Sequence, residues 1–393
     1  MDNFFKRTWS EVDLDKIRNN FDCIREKVGD RTKIMSVVKA NAYGHGITYV
    51  ARELVNAGTD WFAVSNLEEA LQLRKICEDV PILILGYTPP KYAAILALNS
   101  ISQTVFDADY AKALSEYASE ENVEVNIHVK IDTGMSRIGF VYHDNVINAE
   151  SVDVIEKICT LPALYKEGIF MHFASADEDG SGEVFTRLQY DLFLDMISRL
   201  EKRGIKFDLH HCCNSAATLR FPEMHMDMVR PGIILYGLEP SEFVPDTEKL
   251  LPAMELKTVV SMVKELEEGT PISYGRTYTT EGKMKIATIP IGYADGLPRS
   301  LSNDAEVLVN GQRAKLVGRI CMDQSMIDVT NINVKPDDEV IIFGNDSDES
   351  ITVTSLAKKT GTINYEIVCD INKRVPRAYL KNGEIIATEN YTL

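Results

Sequence analysis

Short apolar runs recur along the first 230 residues and alternate with stretches whose apolar residues fall at helical spacing. The runs are Ile34–Val38, Trp61–Val64, Ile82–Leu85, Ser102–Val105, Val125–Ile131, Leu164–Phe173, Phe207–His211 and Met228–Arg230. Continuous apolar runs of this length predict strands buried on both faces, and the amphipathic stretches between them, such as Leu67–Cys77, Asp109–Ala118 and Glu183–Lys202, predict helices. Eight strands alternating with helices predict a (β/α)8 barrel, an α/β fold. A doubly wound sheet would want fewer strands and a Gly-rich phosphate fingerprint, which the sequence lacks. Ahead of the barrel, Thr8–Val12 has strand character, and Asp13 is placed to cap a helix from Leu14 to about Val28.

The pattern changes after about Ser241. Pro245, Pro252 and Pro271 interrupt the chain, and β-rich segments with turn residues follow: Lys285–Ile291, Ala305–Val309, Lys315–Ile320 and Glu339–Phe343. Asn310-Gly311 between two such segments is a hairpin signal, and Gly344-Asn345 marks a further turn. Residues 13–240 are therefore expected to form the barrel and residues 241–393 a mostly antiparallel β domain that residues 1–12 could join. A chain of 393 residues accommodates two domains of this size.

Composition narrows the function. The formal net charge of −17 opposes a nucleic-acid or anionic-membrane partner, since both would be repelled. Mean hydropathy is −0.12, residues 1–10 hold no apolar signal region, and no run is long enough to span a bilayer, so a cytoplasmic protein is the simplest expectation. Seven scattered cysteines do not read as a disulfide framework. His210-His211-Cys212-Cys213 suggests zinc, but adjacent ligands cannot wrap one ion and no second cluster has ligand spacing, so no metal is expected.

The barrel prediction gives particular weight to residues at strand ends, because catalytic groups of such barrels sit at the C-terminal ends of the strands. Lys39 ends the first run, in Val37-Val38-Lys39-Ala40-Asn41-Ala42-Tyr43-Gly44-His45-Gly46. A buried amine there is costly unless it is paired, neutralised or used covalently, and lysine is the side chain that forms Schiff bases with carbonyl cofactors. A lysine that snorkels off the strand end is the plain alternative. Small residues follow it, and Tyr43 could donate a hydrogen bond from the first turn of a helix over Ile47–Ala57. The fifth run ends in Val129-Lys130-Ile131-Asp132-Thr133-Gly134-Met135-Ser136-Arg137. Here Lys130 pairs with Asp132 or a neighbour on the plain reading; on the functional one Arg137 reaches an anionic oxygen in the site. His172 ends the sixth run, followed by Asp177 and Glu178, and reads either as a satisfied core residue or as a supporting group. Ser215 after the seventh run could be a plain N-cap or a phosphate donor. Arg230 ends the eighth, with Gly232 and Ile233 beyond it. An arginine cannot accept a proton, so a ring nitrogen that takes its hydrogen bond stays unprotonated.

Taken with Ser273-Tyr274-Gly275-Arg276, Ile291-Gly292-Tyr293-Ala294-Asp295-Gly296, Gly318-Arg319-Ile320-Cys321-Met322-Asp323 and Ile363-Asn364-Tyr365-Glu366, the chain resembles the alanine racemase family from Lys39 to about Arg377. The resemblance implies a pyridoxal 5′-phosphate (PLP) enzyme that interconverts L- and D-alanine with two bases and supplies D-alanine for peptidoglycan. Lys39 would carry the cofactor and serve the D side, and Tyr274 would serve the L side through a Tyr274–His172–Arg230 chain. Tyr43, Ser215, Gly232, Ile233 and Tyr365 would hold the phosphate, and Arg230 the pyridine nitrogen. Arg137 and the Met322 amide would hold the substrate carboxylate, Tyr293 would line the entrance, and Lys130 would be carbamylated. In the family Tyr274, Tyr293 and Met322 come from the partner subunit, which implies a homodimer. Three alternatives share parts of this pattern: a racemase of serine or of broad specificity, a non-catalytic PLP-binding barrel, and a barrel-type decarboxylase. Serine-directed relatives tend to carry asparagine in place of Tyr365; the other two lack the Tyr274 domain or Arg230.

Overall fold

A computed structural model describes residues 4–143 and 149–391. The chain divides into two compact units, one made of Ile17–Ala42 and Val50–Leu251, the other of Met1–Lys16, Tyr43–Tyr49 and Pro252–Leu393.

The first unit is the predicted (β/α)8 barrel. Its strands are β1 (Lys33–Val37), β2 (Trp61–Val64), β3 (Ile82–Ile84), β4 (Ile101–Val105), β5 (Val125–Asp132), β6 (Leu164–Phe170), β7 (Leu209–His211) and β8 (Met228–Val229). They pair in parallel in the order β8-β1-β2-β3-β4-β5-β6-β7. Two bonds cross the remaining seam, Asp227 N to His210 O at 3.2 Å and Arg230 N to Cys213 O at 2.9 Å. The sixth run leaves the sheet at Phe170 rather than Phe173, and the eighth at Val229, which puts His172 and Arg230 just past the strand ends. Between strands, Leu67–Arg74, Ala108–Glu120 and Ser181–Lys202 are helical. Asn66 and Asp107 cap the first two by accepting the amides of Glu69 and Tyr110.

After β1 the backbone does something the hydrophobic pattern cannot signal. Ala40, Asn41 and Ala42 lie at φ 51–55°, ψ 49–51°, and Tyr43 at φ 51°. This is a left-handed turn, a conformation that costs a non-glycine residue about 1–2 kcal/mol. Tyr43 therefore does not sit in the first turn of a right-handed helix; that helix, Ile47–Ala57, begins only after Gly44-His45-Gly46. Both of these glycines are required. Gly44 has φ +81° and a Cβ on it would meet Val368 O at 2.0 Å, while a Cβ on Gly46, at φ +91°, would meet the Tyr379 hydroxyl at 1.8 Å.

In the second unit Thr8–Asp13 lies between Met254–Val259, antiparallel, and Arg377–Lys381, parallel. Asp13 Oδ1 accepts the amides of Asp15 and Lys16 and so caps Leu14–Val28. Asn310-Gly311 closes a two-residue hairpin with φ 50° and 72°, but the return strand is Gln312–Lys315, not Lys315–Ile320. Glu339–Asp346 runs through Gly344 instead of turning there, since Gly344 stays paired with Ile351. Tyr365 lies on a short helix, Asn364–Cys369, rather than on a β segment.

Candidate active site

The ends of β1 and of β5 to β8 carry the residues singled out in the sequence, and several polar side chains are buried beneath them. His128 and His211 are fully buried, Arg230 and Lys130 nearly so. Buried polar and charged groups survive only if satisfied, and Arg230 is held by four donations. Its Nη2 donates to Met171 O at 2.8 Å, Cys212 O at 3.0 Å and His172 Nδ1 at 3.3 Å, and its Nη1 to His211 Nδ1 at 2.9 Å. The guanidinium also lies 5.3 Å from the Phe170 ring centroid, within cation–π range. Burial lowers its pKa to about 10, which leaves it charged at neutral pH.

His172 is shifted in the same direction, but for an imidazole this removes the charge. Burial first, then the charges of Arg230, Lys130, Arg137 and Lys39, hold its pKa well below the imidazole range, so it is neutral and can accept from Arg230. Among the described residues neither Asp177 nor Glu178 bonds His172; their backbone carbonyls accept from Ser241 and Arg220. Lys130 has no ion pair with Asp132 among the described residues. Its Nζ donates to Ile131 O at 3.1 Å and lies 5.1 Å from the Phe170 centroid. Burial and the Arg230 charge outweigh Asp132 and hold the amine well below its ordinary pKa. Asp132 instead accepts the amides of Gly134 and Ser136, both at 3.0 Å, shaping the turn that presents exposed Arg137.

Ser215 is not the helix cap. Asn214 fills that position by accepting from Ala217 N at 3.0 Å, leaving the Ser215 hydroxyl to accept from Gly232 N at 2.8 Å. Ile233 follows, fully buried. Lys39 is half-buried at the end of β1, and the amide of the next residue, Ala40, donates to Glu69. His210-His211-Cys212-Cys213 is divided among separate partners: His210 bonds Asp227, His211 bonds Arg230 and His128, and both thiols donate to Met224 O.

The C-terminal unit gathers the remaining motifs. Tyr293 N donates to Cys321 O at 3.1 Å and Ala294 N to Met322 O at 3.0 Å, so the Tyr293 and Met322 loops are one assembly. Ser273 Oγ donates to Arg319 O at 2.5 Å and ties the Tyr274 turn to it. Asp295, fully buried, anchors this cluster through Arg7, Arg374 and Gly292 N. Tyr274 is 70% exposed, Met322 53% and Tyr293 43%. In the same unit the Tyr43 and Tyr365 rings lie 6.1 Å apart. Asp295 was invisible as a hub because Arg7 reaches it from the far end of the sequence. His128 and Glu167, which complete a chain behind Arg230, were hidden inside strands where a polar residue carries no periodic signal.

Family models described as alanine racemase, N-terminal domain, and alanine racemase, C-terminal domain, match residues 12–240 and 253–379. Alanine racemase 2 of Caldanaerobacter subterraneus subsp. tengcongensis is 49% identical, over 97% of each chain. Among solved structures, an alanine racemase of Clostridium difficile superposes with a TM-score of 0.93 at 41% identity over the whole of both chains. That of Bacillus anthracis with bound L-Ala-P gives 0.92 at 40% over 99% of both.

Proposed function

The chain belongs to the alanine racemase family, and from that premise we propose that it is an isomerase that interconverts L- and D-alanine with PLP, as a cytoplasmic homodimer. The observation that carries the reading is the Arg230 cluster: a buried, charged fork fixed by four donations at the end of β8. Such a fork suits a ring nitrogen that must accept a hydrogen bond and stay unprotonated. The residues fit PLP in other respects too. Ser215 and the amides of Gly232 and Ile233 would hold its phosphate, with Tyr43 and Tyr365, and Lys39 would carry it. When bound, the cofactor withdraws electrons from the substrate Cα and makes its proton removable.

The chain's own residues then supply the rest. Arg137 and the Met322 amide hold the substrate carboxylate and fix which face of Cα each base meets. Lys39 Nζ exchanges the proton on the D side and Tyr274 Oη on the L side, so neither base has to cross the plane. Free tyrosine has a pKa of about 10, so Tyr274 needs a polarising neighbour. Neutral His172, backed by the Arg230 charge, is suited to that place. Because arginine only donates, Arg230 would leave the ring nitrogen unprotonated and so would favour brief proton exchange over side reactions. Burial and the Arg230 charge lower the Lys130 pKa, which favours the unprotonated amine that reacts with carbon dioxide, and the carbamate formed would give exposed Arg137 an anionic neighbour. Tyr293 would line the entrance.

Purified protein should be yellow and racemise L-alanine. Borohydride should abolish the colour and fix cofactor mass to the peptide containing Lys39. An adduct on Lys130, or a colourless and inactive protein after PLP loading, would overturn the reading.

A further inference from the structure

The hydrogen bonds of Arg230 do not end at His211. His211 Nε2 lies 2.9 Å from His128 Nδ1, and His128 Nε2 lies 3.2 Å from Glu167 Oε2. Glu167 also accepts from Ser102 Oγ at 2.5 Å and Asn126 Nδ2 at 3.2 Å. Ser102 and Asn126 sit early in β4 and β5 and Glu167 midway along β6, so the chain of bonds runs from the barrel interior to the strand ends where Arg230 stands.

From these contacts we infer that Glu167 and His128 are positioning residues for the proposed racemisation: they fix the tautomer and plane of His211, and through it the fork of Arg230. The inference rests on the reading of Arg230 as the donor to the cofactor nitrogen.

Only one arrangement of protons satisfies every link. Arginine has donors and no acceptor, so His211 Nδ1 must accept from it. His211 is neutral, its pKa held well below the imidazole range by burial and then by Arg230, so its single proton is on Nε2. That proton is donated to His128 Nδ1, which leaves His128 Nε2–H to donate to Glu167. The carboxylate, with Ser102 and Asn126 also donating to it, has no proton to give back. A cation at one end and an acceptor-only anion at the other thus set the direction of both imidazoles.

The packing holds the same arrangement. Phe170 stacks on His211 at 4.8 Å and 4°, and Trp61 meets His128 edge-on at 5.5 Å. Residue 168 is glycine because a Cβ there would stand 2.4 Å from His128 Nδ1, the atom that accepts from His211. The barrel gives up a side chain at that point, and the hydrogen bond occupies the space.

The rival reading is a stability network, the usual role of polar groups at this end of such barrels. Nitrogen-15 NMR of histidine-labelled holoenzyme separates the two. In the wild type both His128 and His211 should be Nε2–H tautomers with slowly exchanging protons. Glu167→Gln places an amide donor against Ser102, Asn126 and His128, and should mix the tautomers of both rings. It should also lower kcat roughly tenfold, the scale for removing a partner that orients a site group, with KM for alanine moving less than about twofold. Glu167→Asp should restore both tautomers and most of kcat. An Nδ1–H proton on either ring of the wild type overturns the relay outright, and this reading requires no variant to fold. Mixed tautomers with unchanged kcat, or a kcat loss with His211 unaltered, would overturn the positioning role. The tautomers are read without turnover, so a failure of the relay is distinguishable from a failure of the cofactor assignment, which the Lys39 adduct tests.

Discussion

The residues proposed for catalysis fall into two environments, and the contrast between them is informative. Arg230 and Lys130 are nearly buried, and Arg230 is bonded on both terminal nitrogens to groups that are themselves held. Tyr274, Tyr293 and Met322 are 43–70% exposed, although their loops are tightly braced from within. A buried polar cluster is expensive to assemble but needs no reorganisation when charge shifts nearby, which is what holding a cofactor demands. Large apolar side chains on a braced loop, left open to solvent, are the form a surface takes when it completes something outside its own unit. On the proposed reading the barrel carries the buried, preorganised groups, and the exposed side chains of the C-terminal unit are the ones a partner subunit would complete.

The largest effect should come from breaking this division. If each site takes Lys39 from one chain and Tyr274 from the other, Lys39→Ala and Tyr274→Phe homodimers should each be almost inactive. Co-expression would then give heterodimers with one site carrying both lesions and one carrying neither. With random pairing about half the dimers are mixed, so roughly a quarter of all sites regain both bases by two-fold symmetry. Background activity in a verified heterodimer would place both bases on the same chain and remove the proposed shared site.

A smaller effect, confined to the barrel, concerns Arg230. Arg230→Glu replaces the donor-only fork with a group that lets a ring nitrogen keep its proton. Racemisation should fall by roughly 10²–10³, the scale for losing one preorganised electrostatic group. Pyruvate from side transamination should rise relative to racemised alanine. A product ratio that does not move would mean the buried cluster is not addressing the nitrogen. The same substitution should leave the exposed Tyr274 loop unaltered, so loss of dimer in that variant would contradict the separation of roles.

The same contrast explains which parts of the molecule could be read in advance. The barrel was legible because eight buried parallel strands impose eight apolar runs, and the strand-end rule then singled out Lys39, Arg137, His172, Ser215 and Arg230. What failed to show was whatever depends on partners distant in sequence. The left-handed turn at Ala40–Tyr43 is composed of ordinary residues, and only Gly44 and Gly46, pressed against Val368 and Tyr379, show why the chain is so confined there. His128 and Glu167 are polar residues in strands, meaningful only beside His211. Asp295 is one carboxylate in a turn until Arg7 and Arg374 reach it from 288 and 79 residues away. The strand after Asn310-Gly311 was displaced by three residues, because a two-residue turn begins its return strand at Gln312 and the more apolar Leu316-Val317 drew the expectation onward.

Tyr365 stands between the two environments and yields the smallest prediction. It is half-buried on a short helix of the C-terminal unit, with its ring 6.1 Å from that of Tyr43, a residue fixed by the left-handed turn. Its position is therefore set on one side by a rigid neighbour, while its own bulk decides how much room remains. If that bulk narrows the pocket toward alanine, Tyr365→Asn should raise serine turnover relative to alanine. A hydroxyl or methylene accommodated in a pocket is worth only about 1–3 kcal/mol, so the ratio should shift by about ten- to a hundredfold and no further. The informative quantity is the ratio of kcat/KM values for the two amino acids, because a general loosening of the Tyr43 contact would depress both together. A ratio that stays fixed while both fall would assign Tyr365 to holding Tyr43 in place. Specificity would then have to come from the Arg137 side of the barrel.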